Sequence, residues 1–316
     1  MLISDRSKEI IENLMNANGP LTVSALSKKL GVTERTIYRQ IPEVTEIIES
    51  YDLTLDNSSG NGFMIFGSLY NLKRLNSAFE EVKTEQNYSN KERVDIILLT
   101  LLNEDDYIKT QALAIDLNTS SQTIRNDYQS MKEKLQGHNV QFETKKSEGV
   151  RLTGHEIPKR HLFVNVLLQN IAPDNFFDWL KDNNYRPNHF IDLLKNFDYE
   201  EPLKVLYQKM QNVIRKRHLN ISDKELQEFL VLIAIFIKRH SYINDQEDIL
   251  KLTIQDSNTD YEDHFRQDIL KILEVDFKIQ LYDNERDYFH WMIHLYVGRS
   301  PVSYTHLRAH ETLSDL

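Results

Sequence analysis

Two pairs of side chains carry the chemistry this sequence offers most clearly. Arg35 and Arg39 stand four residues apart, and so do Gln122 and Asn126. On a helix that spacing puts both members of a pair on one face. An arginine fork matches the two acceptors on the major-groove edge of guanine, or clamps a phosphate, whereas a carboxamide matches the donor and acceptor on the edge of adenine. Around the first pair lie Thr33, Glu34, Thr36 and Tyr38, with Ile37 expected to face inward. Around the second lie Ser120, Ser121, Thr123 and Arg125. These residues together are the candidates for contact with duplex DNA. For each of them a plain solvated helix face is the alternative.

The elements that must hold these pairs are written twice in the chain. A shift of 87 residues lays LTVSALSKKLGVTERTIYRQ (21–40) over IKTQALAIDLNTSSQTIRND (108–127) without a gap. Ala25 meets Ala112, Leu26 meets Leu113, Leu30 meets Leu117, Thr36 meets Thr123 and Ile37 meets Ile124. The match extends outward, with Arg6, Ile10 and Leu14 over Arg93, Ile97 and Leu101, and with Gly62 and Gly67 over Gly149 and Gly154. The chain therefore contains two copies of one small domain.

Each copy reads as three helices and a hairpin. In the first, Ile10, Ile11 and Leu14 have helical spacing, and Gly19-Pro20 is expected to end that helix. A second helix from about Val23 to Leu30 should stop at Gly31. Thr33 can cap a third, with Glu34 well placed near the positive end of its dipole. Pro42 disfavours helical geometry at Ile41, so this third helix is expected to end or kink there before a further turn through Ile47 and Ile48. Leu53, Leu55, Phe63 and Ile65 then alternate with other residues around a turn, the period of a two-stranded wing. In the second copy Ser120 takes the capping place, and VQFET with GVRLTG forms the hairpin. A short helix, a tight turn and a capped helix make a helix-turn-helix, whose second helix offers its first residues to the major groove.

Composition narrows the remaining classes. The chain has 316 residues, no cysteine and a formal charge of -10. Its length suggests two or three domains, and the missing cysteine removes disulfide frameworks and thiol nucleophiles. The acidity argues against a non-specific nucleic-acid binder but not against local contacts. Residues 1–68 hold six basic against nine acidic side chains, and 91–160 hold eleven of each, so tight specific binding is expected to need a homodimer. No Gly-rich phosphate loop or GxSxG is present, and acid pairs such as Asp105-Asp106 and Glu80-Glu81 read as solvated charges. We therefore expect no enzyme and no cofactor. The longest apolar run, FLVLIAIFI (229–237), is about half of what a bilayer span needs, and the first residues lack the apolar core of a signal peptide. A soluble cytoplasmic protein, not bound to a membrane, is the expectation.

Beyond His155 the pattern is helical. Leu203, Leu206, Met210, Val213 and Ile214 form one stripe; Ser222 and Glu225 have capping-box spacing ahead of the apolar run, which should lie inside a bundle. LYDNERDYFHWMIHLYVGR should form a last helix from about Asp283. The stretch VSYTHLRAHET (302–312) matches a translated transposase-type sequencing adapter, so 301–316 is expected to be a non-native tail on a truncated chain, and His306 and His310 carry no functional weight.

VTERTIYRQIPEV, TSSQTIRNDYQSMKEKL and above all GVRLTGHEIPKR resemble the BglG/mannitol-regulator class of transcription regulators, relatives of the Mga regulators. The resemblance covers about 5–165 well and 200–300 more weakly. It implies a mainly α chain: two tandem winged helix-turn-helix domains, the second Mga-type, followed by an all-helical PRD-like bundle. The expected division is 1–68 for the first domain, 69–90 for a helical linker, 91–170 for the second domain and 171–300 for the PRD-like bundle. Such modules are controlled by phosphorylation of histidines by the phosphocarrier HPr or by enzyme II components of the sugar phosphotransferase system. Where many have a histidine in the apolar helix this chain has Leu232-Ile233, so the phosphoacceptor candidates are His240, His290 and His294. His290 and His294 also have a spacing that can bind metal, but no cysteine and no HExxH accompany them, and no metal is expected. An operon activator follows from the resemblance, with an RNA-binding antiterminator as the rival. The latter would open with a small β-sheet domain, and residues 1–50 have helical period instead.

Overall fold

A computed structural model of the chain describes residues 4–17, 19–57, 62–81, 88–240, 260–279, 281, 285, 286, 288–290, 292 and 293. It divides into two compact units, Met1–Gln136 with Gln141–Thr153, and Gly137–Val140 with Gly154–Leu316.

In the first unit α1 (Asp5–Met15), α2 (Val23–Leu30) and α3 (Glu34–Ser50) precede the strands β1 (Thr54–Asp56) and β2 (Met64–Phe66). Ser4, Thr22 and Thr33 cap the three helices by accepting a backbone N–H three residues on. The first helix stops at Met15, before the Gly-Pro pair, and the second stops at Gly31 as expected. The third corrects the expectation at Pro42: α3 is a single helix through that residue to Ser50. Proline removes one helical hydrogen bond, but Val44, Ile47 and Ile48 beyond it are buried, and burial of such side chains is worth roughly 1.5–3 kcal/mol each. Tertiary packing against α1 and α2 thus outweighs the local defect.

The second copy repeats this order with α5 (Asn90–Asn103), α6 (Thr110–Asp116), α7 (Ser121–Lys134), β3 (Val140–Lys145) and β4 (Gly149–Gly154), after an intervening α4 (Leu69–Glu81). The repeat reaches the wing base. Leu21 exchanges backbone hydrogen bonds with Phe63 at 2.9 and 2.8 Å, and Ile108 does so with Val150 at 2.8 and 2.9 Å. This pairing brings a backbone against Gly62 and Gly149, both at φ +118°, where a Cβ would lie 2.4 Å from Leu21 O and 2.1 Å from Ile108 O. Only glycine fits there. Within the stretch expected to be a helical linker, α4 packs on α1 of the first copy and on α6 of the second. Both copies consequently belong to one unit.

The second unit is helical: α8 (Glu156–Leu168), α9 (Pro173–Leu180), α10 (His189–Asn196), α11 (Glu200–Arg217), α12 (Asp223–Arg239) and α13 (Asp260–Asp276). Ser222 and Glu225 form the expected capping box, and Phe229 to Phe236 of α12 are all buried, with α8, α9 and α11 packed around them. Apart from Gly137–Val140 this unit runs from Gly154, so it includes α8, which the expected division places before 171. Its reason is chemical. Glu156 accepts hydrogen bonds from Arg160 Nε at 2.9 Å and from Arg239 Nε and Nη2 at 2.7 and 2.9 Å, while Arg160 Nη2 donates to the Arg239 carbonyl at 2.6 Å. A buried carboxylate between two guanidinium groups ties α8 to the end of α12. The tail at 301–316 and the expected start of the last helix at Asp283 lie outside the described residues.

Candidate DNA interface

The two candidate recognition helices begin alike. Thr33 Oγ1 accepts the Thr36 N–H and lies 2.9 Å from the Thr36 hydroxyl; Ser120 Oγ accepts the Thr123 N–H and lies 2.9 Å from the Thr123 hydroxyl. Thr36 and Thr123, both half-buried, are thus engaged in the caps. Ile37 and Ile124 are fully buried and set the rotation of each helix. That rotation exposes Thr33, Glu34, Arg35, Tyr38 and Arg39 on α3, and Ser120, Gln122, Arg125 and Asn126 on α7, with Ser121 half-buried.

Arg35 and Arg39 take part in no hydrogen bond or ion pair among the described residues. Gln122 Nε2 donates to Asn126 Oδ1 at 3.1 Å, which aligns the two amides side by side. The first turn of α3 thus presents cations and that of α7 presents neutral amides beside Arg125.

Polar ties hold each recognition helix to its first helix. In the first copy Glu43 accepts from the Ser4 N–H at 2.9 Å, the Ser4 hydroxyl at 2.9 Å and the Ser7 hydroxyl at 2.8 Å. Burial opposes ionisation of Glu43, yet these donors together keep its carboxyl below the usual range. In the second copy Asp127 takes that part, accepting from Arg93 Nε at 2.8 Å and Nη2 at 3.0 Å and from Asn90 Nδ2 at 2.5 Å. The hydrogen bond to Asp127 raises the Arg93 pKa despite burial.

The wing of the second copy adds residues that spacing on the helices did not point to. Arg151 lies over the Tyr107 ring at 4.4 Å and pairs with Glu143 at 2.8 Å, and Lys145 pairs with Glu148 at 2.8 Å. Lys146, exposed in the turn between β3 and β4, makes no hydrogen bond or ion pair among the described residues. The adjacent lysines of ETKKSEG were the available signal.

Two of the three histidine candidates fall among the described residues. His240 is the half-buried C-cap of α12, its Nδ1 3.1 Å from the Ile237 carbonyl; His290 is half-buried; His294 lies outside the described residues. A histidine that the sequence reading passed over, His161 on α8, stands 3.2 Å from the Tyr288 hydroxyl through Nε2. Burial, and then the neighbouring Arg160 charge, push its pKa down to about 4.

Comparison with known proteins matches this geometry. Residues 6–63 match the HTH domain family, and residues 94–138 match the DeoR-like helix-turn-helix domain family. The chain is 24% identical over 245 residues to a protein of Bacillus subtilis named as a licABCH operon regulator, covering 75% of this chain and 35% of the relative. It is 27% identical over 176 residues to a protein of Streptococcus mutans serotype c named as the transcriptional regulator MtlR, covering 56% of this chain and 25% of that relative. The chain thus carries two helix-turn-helix domains followed by a helical region, and it spans about a third or less of the length of these relatives.

Proposed function

We propose that this protein is a DNA-binding transcription regulator of a sugar-uptake operon, acting in the cytoplasm as an activator. The observation that carries the proposal is the repeated recognition helix: two capped helix starts in equivalent positions, each exposing an i,i+4 pair suited to base edges. The contacts are assigned to Thr33, Glu34, Arg35, Tyr38 and Arg39 in the first copy and to Ser120, Ser121, Gln122, Arg125 and Asn126 in the second, with Thr36 and Thr123 holding the caps. The two relatives, by their names an operon regulator and a transcriptional regulator, support the same reading.

The control proposed is phosphorylation of the PRD-like region by HPr or enzyme II components, with His240, His290 and His294 as acceptors, acting on a homodimer. The added negative charge would repel or recruit the dimer partner. The helices α1 to α3, in the span that matches the HTH domain family, favour duplex DNA over the RNA-binding antiterminator reading. The test is selection from a random duplex pool, followed by competition with a terminator-hairpin RNA. Enrichment of one duplex sequence that the RNA fails to displace is expected; absence of enrichment, or displacement by the hairpin, would overturn the proposal.

A further inference from the structure

The short helix α6 of the second copy has the wrong residues at both ends for a helix standing alone. Its N-cap is Lys109, which makes no side-chain cap, and its last residue is Asp116, an acid at the negative end of the dipole. The equivalent residues of the first copy obey the local rules. Thr22 caps α2 with its hydroxyl, and the basic Lys28 and Lys29 occupy the last turn. At seven residues α6 is too short to be stable by itself, so these departures need an external reason.

The reason is the first copy. Asp116 Oδ1 accepts from the Tyr51 hydroxyl at 2.5 Å, and its Oδ2 accepts from Arg74 Nη2 at 2.5 Å and Nε at 3.1 Å. Tyr51 is the buried C-cap of the recognition helix α3, and Arg74, on α4, lies over its ring at 5.3 Å. At the other end of α6, Lys109 Nζ donates to the Glu49 carbonyl in the last turn of α3 and lies 3.3 Å from Asp52. A cation there complements the negative end of the α3 dipole. Both ends of α6 thus give up local stability and grip the C-terminal end of α3, and among the described residues the equivalent Thr22 and Lys29 make no such contact. The negative charge of Asp116 helps to hold Arg74 protonated against its burial.

We infer that Asp116 and Lys109 are positioning residues that lock the two helix-turn-helix copies into one rigid reader. A single chain then recognises a bipartite duplex site, a motif for α3 and a motif for α7, at one fixed spacing. This rests on the DNA-binding reading above and adds the geometry of the DNA it takes. A rigid reader tolerates no change of phase, because each inserted base pair turns the second motif by about 35° and moves it about 3.4 Å.

The test uses the full chain and duplexes selected from a random pool, resynthesised with one to five base pairs inserted between the two enriched motifs. For the unaltered protein, affinity is expected to fall at least about tenfold by three inserted base pairs, the loss of one of two linked contacts. Asp116→Asn and Lys109→Thr should flatten that loss to about threefold or less while binding to each isolated motif stays within about twofold. Lys109→Thr restores a side-chain cap to α6, so it serves if Asp116→Asn does not fold. A merely structural role would lower binding to the isolated motifs along with the bipartite site, and that result overturns the inference. So does enrichment of a single motif, or a spacing penalty that both variants retain. No enrichment at all would instead overturn the DNA-binding reading, and this inference with it.

Discussion

At the scale of single residues, specificity and affinity should separate. Arg35 and Arg39 are exposed at the start of α3 and make no hydrogen bond or ion pair among the described residues, whereas Lys146 is an exposed cation on a turn. Replacing either arginine by alanine is expected to cost about 1–3 kcal/mol on the selected duplex and to relax discrimination at one base pair. Lys146→Ala should instead weaken all sequences alike and reduce the salt slope by about one. Fluorescence anisotropy against single-base variants at two salt concentrations separates these outcomes. His161 makes a second prediction. Its folded pKa of about 4 lies below the ordinary value of 6.5, so between those values the unfolded chain binds a proton that the folded chain refuses. Its contribution is fully present above pH 6.5 and is lost as pH falls toward 4. Roughly 1–3 kcal/mol should disappear over that window, and His161→Gln should flatten the slope in urea titrations repeated across pH.

At the scale of elements, the caps decide whether the reading helices start where they do. Thr33 and Ser120 each satisfy a backbone N–H that has no helical partner. Thr33→Ala and Ser120→Ala are each expected to cost about 1 kcal/mol of stability, read as a shift in denaturation midpoint. If the first turn frays, binding should fall with it, since the readers lie in that turn. Serine exchanged for threonine at either cap should be nearly silent in both measurements. The continuation of α3 through Pro42 shows the opposite balance, where a local defect persists because three buried aliphatic residues beyond it, Val44, Ile47 and Ile48, hold the helix in place.

For the whole molecule, the division into two units predicts separate responses to mutation. Glu156 is 3% exposed and sits between two arginines of the second unit. Glu156→Ala leaves both cations buried without their carboxylate, so a loss of about 3–5 kcal/mol is expected. In calorimetry that loss should appear in one transition, while Thr33→Ala shifts another; a single shared transition moved by both would contradict two independently cooperative units. Charge is also unevenly divided. The whole chain carries -10, but the spans 1–68 and 91–160 together carry only -3, so most of the acidity lies away from the candidate interface.

What the amino-acid sequence determined by itself is whatever short-range physics controls. The 87-residue repeat, the caps at Thr33, Ser120 and Ser222, the wing glycines and the burial of Phe229 to Phe236 were all legible from periodicity and local hydrogen-bonding rules. The exposed face of each recognition helix followed from the inward Ile37 and Ile124. Only the tertiary structure decided the rest. Asp116 meets Tyr51 across 65 positions, and Arg239 meets Glu156 across 83. Such pairings leave no spacing in the sequence, because what brings the partners together is packing of elements whose order along the chain does not reveal which ends will touch. A lysine where a cap belongs and an aspartate at the wrong end of a helix look like noise until the neighbouring copy supplies the partner. Their meaning is held in the contact, and the contact exists only in the folded chain.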